Sequence, residues 1–234
     1  MSRPDGRKID EFRPIEAKAG VIKRADGSAY FKIGNTTAYA AVYGPRNLFP
    51  RFMQDPQKGI LRVNYNMMPF SGSGERVRPG TNRRSKEISL VTENALLPVV
   101  DLHEFPNSVV DIFIEFPQTD AGTRCAGICA AAIALADAGI VMKDMVSAVA
   151  VGVVNGEVVV DLSKEEEDLP GAVDIPMAII PGKKKVSLLQ MDGIISKEDI
   201  SKGVKLAIDA CDKIFEVQKN ALKEKYNQGG KDEQ

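Results

Sequence analysis

Asp120-Ala121-Gly122-Thr123-Arg124-Cys125-Ala126-Gly127-Ile128-Cys129-Ala130-Ala131-Ala132-Ile133-Ala134-Leu135-Ala136-Asp137-Ala138-Gly139 reads as an alanine-rich helix with polar residues at its mouth and a glycine terminator at its end. The Gly-Thr-Arg at that mouth has the chemistry to hold an oxyanion. Glycine lets the backbone approach closely, first-turn N–H groups lack intrahelical partners, and the threonine hydroxyl and guanidinium add directed donors. An ordinary helix start, capped by Asp120 or Thr123, would look the same, and residue chemistry alone favours that reading slightly.

Strand signals surround this helix. Val110, Ile112, Ile114 and Phe116 alternate with Asp111, Phe113 and Glu115, the pattern of a half-buried strand. Ala148–Val154 and Glu157–Leu162 flank Asn155-Gly156, the strongest hairpin signal in the chain. Between Gly20 and Tyr43, strand-like runs alternate with the turn signals Ala25–Ser28 and Gly34-Asn35, and Gly44-Pro45 is expected to end them. Ile60–Met68, Ala172–Ile180 and Val186–Met191 supply further strands. Helices are expected over Arg83–Leu97, closed by Pro98, and over Lys197 to about Tyr226, capped by Ser196. Many short strands with three helices, and no long linker, predict an α+β fold in a single domain over 13–226. A polar arm (1–12) precedes that domain and a frayed tail (227–234) follows it.

Composition limits the function classes. The 234 residues carry 31 basic and 32 acidic side chains, so any anion-binding surface must be local rather than global. One histidine leaves little for a Ser-His-Asp triad or a multi-histidine metal site. The three cysteines lie in apolar helical sequence, as buried, reduced thiols do. No apolar run reaches membrane-spanning length and no signal peptide opens the sequence, so a soluble cytoplasmic protein is expected.

Two other clusters stand out. Arg76, Arg78, Arg83 and Arg84 fall in or after a glycine-rich loop; the first two read as solvated. Arg83 and Arg84 start a helix, where cations oppose the macrodipole unless an anion compensates, with Glu87 one turn away as the local alternative. In the acidic run, Glu165–Glu167 reads as a solvated loop. Asp174 starts an apolar strand, where a carboxylate needs a partner. Asp168 and Asp174 could share a divalent cation, or one could supply a proton to a leaving group.

Taken in order, several pieces resemble the RNase PH family of phosphorolytic exoribonucleases: the arm Arg3–Pro14, Ala25–Tyr30, Gly34–Thr37, Ala41–Pro45, Gly74–Arg76, Asn82–Arg84, Asp120–Arg124 and Gly171–Asp174. Within it, the arm and the Tyr43-Gly44-Pro45 turn are most similar to the catalytic branch found in the archaeal exosome. The bacterial branch usually has Gly-Gly-Thr-Arg where this chain has Ala121-Gly122-Thr123-Arg124. The resemblance implies an RNase PH-like domain of mixed sheets and packed helices. It implies that Arg84, Gly122, Thr123 and Arg124 bind inorganic phosphate as co-substrate. Asp174 would act as general acid or metal ligand with Asp168 as companion, using Mg²⁺ or Mn²⁺. Arg83, Arg62 and Arg46 would contact RNA. The implied assembly is a hexameric ring alternating with a homologous non-catalytic subunit and capped by RNA-binding proteins, with no membrane partner. Other readings are a homohexameric tRNA-trimming enzyme, a silent RNA-binding ring subunit, and a hydrolytic nuclease using Asp168 and Asp174 with a metal.

Overall fold

The computed structural model describes residues 3–229. The expected tail beyond Gly229, and Met1 and Ser2 of the arm, lie outside the described residues. Among the described residues nine strands form two sheets. The first contains β1 (Ile15–Ala19), β2 (Gly27–Ile33), β3 (Thr36–Asn47), β4 (Ile60–Met67) and β5 (Ser108–Gln118), in the order β1-β2-β3-β5-β4. It is mixed, because β4 runs parallel to β5 through helix α1 (Arg83–Leu96). The second contains β6 (Ser147–Val154), β7 (Glu157–Val160), β8 (Val173–Ile180) and β9 (Lys185–Leu189), in the order β7-β6-β8-β9, antiparallel throughout.

Helix α2 (Thr123–Asp137) packs against strands of both sheets, and this explains its composition. A helix covered on all sides is apolar all round, and small residues let the sheets approach. Ala130 to Leu135 are inaccessible to solvent. Contact is close enough at Gly27 that a Cβ there would lie 2.2 Å from the Ala138 nitrogen. The 33-residue α4 (Lys197–Gly229) packs across β6, β7 and β1. One buried cluster runs through both sheets, including Phe31, Phe116, Ile128, Ile175 and Ile214. Among the described residues no helix is long and apolar enough to cross a membrane.

The α+β architecture is as expected, with local differences. Strand β3 continues through Gly44-Pro45 to Asn47; the register against β5 shifts between Tyr43 and Arg46 instead of ending. Strand β1 is additional, although Ile15, Ala17 and Ala19 alternate with Glu16 and Lys18 at strand period. The acidic run is not a solvated loop. Lys164–Glu167 form a one-turn helix, α3, so the α-helices number four among the described residues. The Ser163 hydroxyl accepts from the Glu166 N–H, and the Glu166 carboxylate accepts in return from the Ser163 N–H, a reciprocal cap. Glu166 is fully buried.

Candidate active site

Three of the four α-helices begin with side-chain caps. Asn82 and Ser85 cap α1 reciprocally, Ser163 caps α3, and the Ser196 hydroxyl accepts from the Asp199 N–H at 3.1 Å to open α4. Helix α2 has none. Its N-cap is Gly122, in the left-handed region at φ 72, with no side-chain hydrogen bond to the first turn. Capping by Asp120 or Thr123 does not occur. Thr123 is the first helical residue, and the Asp120 carboxylate instead faces Arg13 Nη1 at 3.4 Å. A buried 15-residue helix therefore points bare N–H groups and the positive end of its dipole outward.

That mouth opens into a cleft of about 360 Å³ between the two sheets' site-bearing elements. Arg84, Gly122, Thr123 and Arg124 line the cleft together with Asp168 and Asp174. All six residues assigned from the sequence to phosphate binding and catalysis thus come together. Arg84 comes from the first turn of α1, Arg124 from that of α2, and Asp174 from the second residue of β8. Asp174 faces Gly152 in the β6–β8 register, and its backbone pairs with Asp192 (N–H to carbonyl 3.2 and 2.9 Å), bringing a further carboxylate to the rim.

Two polar atoms of the cleft lining are sealed from solvent without hydrogen-bond partners, Asp174 Oδ1 and Arg124 Nε. Burial raises the Asp174 carboxyl above its usual range, Arg124 pulls it back, and Asp192 adds to the rise. Burial and then the Asp174 charge push the Glu167 carboxyl up to about 7. Glu167 and Lys164 also line the cleft. The Lys164 ammonium donates to Asp168 at 2.6 Å, so this companion carboxylate is already paired. The cleft adjoins a hollow of about 340 Å³ under Tyr65, Met67 and Val77.

Arg83, Arg62 and Arg46 do not line the cleft. Arg83 is exposed at the first position of α1. Arg62 is held by Asp111, its neighbour in the β4–β5 register, through bonds of 2.5 and 3.0 Å. Arg46 lies over the Tyr43 ring, 4.9 Å from its centroid, with Asp26 at 3.6 Å. Glu87 faces Arg124 at 3.9 Å rather than pairing with the arginines on its own helix. Glu167, Lys164 and Asp192 were not singled out from the sequence. The signal for α3 was Ser163 followed three residues later by Glu166, a capping box hidden in a charge run.

An uncapped helix mouth and two arginines, sharing a cleft with a desolvated carboxylate, supply the donors and charge that suit a phosphate-type oxyanion. The 3′ exoribonuclease family matches this chain twice, through its domain 1 over residues 11–141 and its domain 2 over residues 144–210. The chain belongs to that family and is an RNase PH-type 3′-to-5′ exoribonuclease. It is 53% identical over 224 residues to the exosome complex component Rrp41 of Thermococcus kodakarensis, covering 96% of this chain and 89% of that protein. The Rrp41 of Methanopyrus kandleri is 51% identical over 96% of this chain and 93% of that protein. That of Nitrosopumilus maritimus is 48% identical, with 96% and 91% covered. Among solved structures, rice Rrp46 superposes with a TM-score of 0.84 at 25% identity, covering 94% of this chain and all of that one.

Proposed function

We propose that this chain is the catalytic subunit of an archaeal-type exosome and removes 3′-terminal nucleotides from RNA by phosphorolysis. The bare mouth of α2 with Arg84 and Arg124, sharing one cleft with Asp174, is the observation that carries this reading. Inorganic phosphate occupies the mouth. The Gly122–Arg124 backbone N–H groups, the Thr123 hydroxyl and the two guanidiniums hold it with one oxygen toward the last phosphodiester. That oxygen attacks phosphorus in line; a new P–O bond forms as the bond from phosphorus to the 3′ oxygen of the preceding nucleotide breaks. Asp174 delivers the proton to that leaving oxygen, and its desolvated carboxyl is suited to hold one. The products are a nucleoside diphosphate and RNA shortened by one nucleotide. The α–β phosphoanhydride of the released diphosphate replaces the phosphodiester that is broken, an exchange close to balance, so the same site extends RNA from diphosphates when phosphate is scarce.

In the alternative role Asp174, with Asp168 as companion, would hold a divalent cation, Mg²⁺ or Mn²⁺, at its bare oxygen in place of the proton. Among the described residues no three acidic, histidine or cysteine side chains gather as a metal cage, so substrate oxygens and water would complete its shell. It would neutralise charge on the transferring group. Asp168, paired with Lys164, sits exposed on the cleft lining.

Arg83, Arg62 and Arg46, outside the cleft, would guide the RNA backbone rather than contact the reacting phosphorus, Arg62 after exchanging Asp111 for phosphate. The relatives' shared name, exosome complex component, supports assembly with homologous ring subunits, and the resemblance adds RNA-binding caps and a cytoplasmic setting. Asp174→Asn is expected to abolish diphosphate release while leaving RNA affinity intact. Arg84→Gln is expected to raise the KM for phosphate before it weakens RNA binding. Turnover surviving the first change, or the opposite order of effects for the second, overturns these roles.

A further inference from the structure

One buried arginine links the segment leading into the α2 mouth with the segment leading into α3. Arg13 is buried where the N-terminal arm enters β1. Its Nε and Nη2 donate to the two oxygens of Asp161 at 2.9 and 2.7 Å, and its backbone N–H donates to Oδ2 at 2.8 Å. The same Nη2 reaches the Ala121 carbonyl at 3.3 Å, and Nη1 faces Asp120 at 3.4 Å. Ala121 immediately precedes Gly122, the N-cap of the phosphate-binding helix; Asp161 stands two residues before Ser163, the cap of α3.

Both sides of this link are held firmly. The Ala121 carbonyl also accepts from the Thr36 hydroxyl at 2.7 Å. Asp161 sits at φ 54, a costly conformation for a residue with a side chain. The Asp161 carbonyl there accepts from Arg3 Nη2 at 2.8 Å and Arg7 Nη1 at 2.9 Å. Arg3 in turn binds both Glu166 oxygens at 2.7 Å. Glu166 is followed by Glu167 and Asp168, which line the cleft. A planar guanidinium fixes distance and direction together, whereas an ammonium fixes only charge.

We propose that Arg13 is a positioning residue of the phosphorolytic centre, setting the spacing between the phosphate-binding mouth of α2 and the acidic helix α3. This rests on the phosphorolytic reading of the cleft. Misplacement by about 1 Å between reacting groups is enough to cost up to ~10²-fold in rate. A role confined to stability would leave the kinetics of the folded variant unchanged.

The test varies inorganic phosphate at fixed single-stranded RNA, using the full chain in whichever assembly gives the unmodified enzyme its activity. Variants are Arg13→Gln, Arg13→Lys and a control, Lys225→Gln, which breaks the ion pair with Asp137 at the far end of α2. Each is assayed well below its melting temperature. Arg13→Gln is expected to raise the KM for phosphate about tenfold and lower kcat, with RNA affinity within about twofold of normal. Arg13→Lys recovers part of the loss, and Lys225→Gln lowers only the melting temperature. An unchanged phosphate KM in folded Arg13→Gln, or the same kinetic change in the control, overturns the proposal. If Arg13→Gln does not fold, Arg13→Lys is judged by the same criterion, alongside hydrogen exchange in the unmodified protein. Coupling is reciprocal, so saturating phosphate should slow exchange in residues 3–13 together with Gly122–Arg124. Protection of the mouth alone contradicts it. A failure of the unmodified enzyme to release diphosphates would instead defeat the phosphorolytic reading.

Discussion

At Gly122 a single backbone angle decides between two readings of the helix mouth. With φ at 72 the residue turns the chain without offering a side chain to the first turn, and the orphan N–H groups are left for a ligand. A Cβ here would sit 3.5 Å from Arg13 Nη2, ordinary contact, so the penalty of Gly122→Ala is the left-handed backbone, about 1–2 kcal/mol. A chemical melt should show that loss, and a phosphate titration should show a further loss of affinity. Glu167 illustrates the opposite economy: its carboxyl is raised to about 7, so folding favours its protonated form. Its ionisation therefore costs stability above that pH, and the cost vanishes below the ordinary carboxylate range. Glu167→Gln should melt higher than the parent at pH 8, by ~2–4 °C for each kcal/mol relieved, and converge with it near pH 4. Equal differences at both pH values would contradict the assigned burial. Asp174 and the Gly-Thr-Arg mouth were legible as residues because their types are costly where they stand. The missing cap was not, because Asp120 and Thr123 are both good capping residues until Arg13 is seen to hold the first.

The arm and α3 show how elements separated by more than 150 residues in sequence read wrongly apart. An acidic run is usually solvated, and nothing local reveals that Glu166 meets Arg3 in a dry contact. The complementary arginines stand in a polar N-terminal arm with no apolar pattern to show what it packs against. Burial alone would raise the Glu166 carboxyl; the Arg3 hydrogen bonds and charge outweigh it and hold it below the usual value. The pair's stabilisation is therefore fully present above the ordinary carboxylate pKa and is lost as pH falls through the lowered one. Arg3→Met removes both 2.7 Å bonds to the buried Glu166 carboxylate and leaves it Arg7 at 3.6 Å, so the cost at pH 7 should fall toward the lower end of about 3–5 kcal/mol. Glu166→Met in the same chain should restore much of it. Melting curves from pH 3 to 8 check both, and a neutral effect of Arg3→Met at pH 7 would contradict the contact. The regular elements were more readable. Asn155 and Gly156 take the positive φ values (52 and 80) that an Asn-Gly hairpin requires, and burial along β5 alternates as its sequence does.

Across the whole molecule, α2 organises both architecture and chemistry. Its small apolar body joins the sheets, which fixes its mouth in one cleft with Asp174 of β8 while the arm braces both α2 and α3 from behind. The α+β class followed from many short strands grouped around three helices. The placement of β4 beside β5, and the division into two sheets, depend on pairings between distant segments that no local pattern encodes. Exposed apolar side chains at the β9 edge and beyond, such as Leu189, Met191 and Ile194, accord with a chain that works in an assembly. The central claim is that phosphate, not water, breaks the RNA chain. Incubation of RNA with ³²P-labelled inorganic phosphate, followed by separation of the nucleotides, tests it directly. Label should appear in the β-phosphate of released nucleoside diphosphates, and release should cease without phosphate. Unlabelled nucleoside monophosphates, released at a rate indifferent to phosphate, would contradict it.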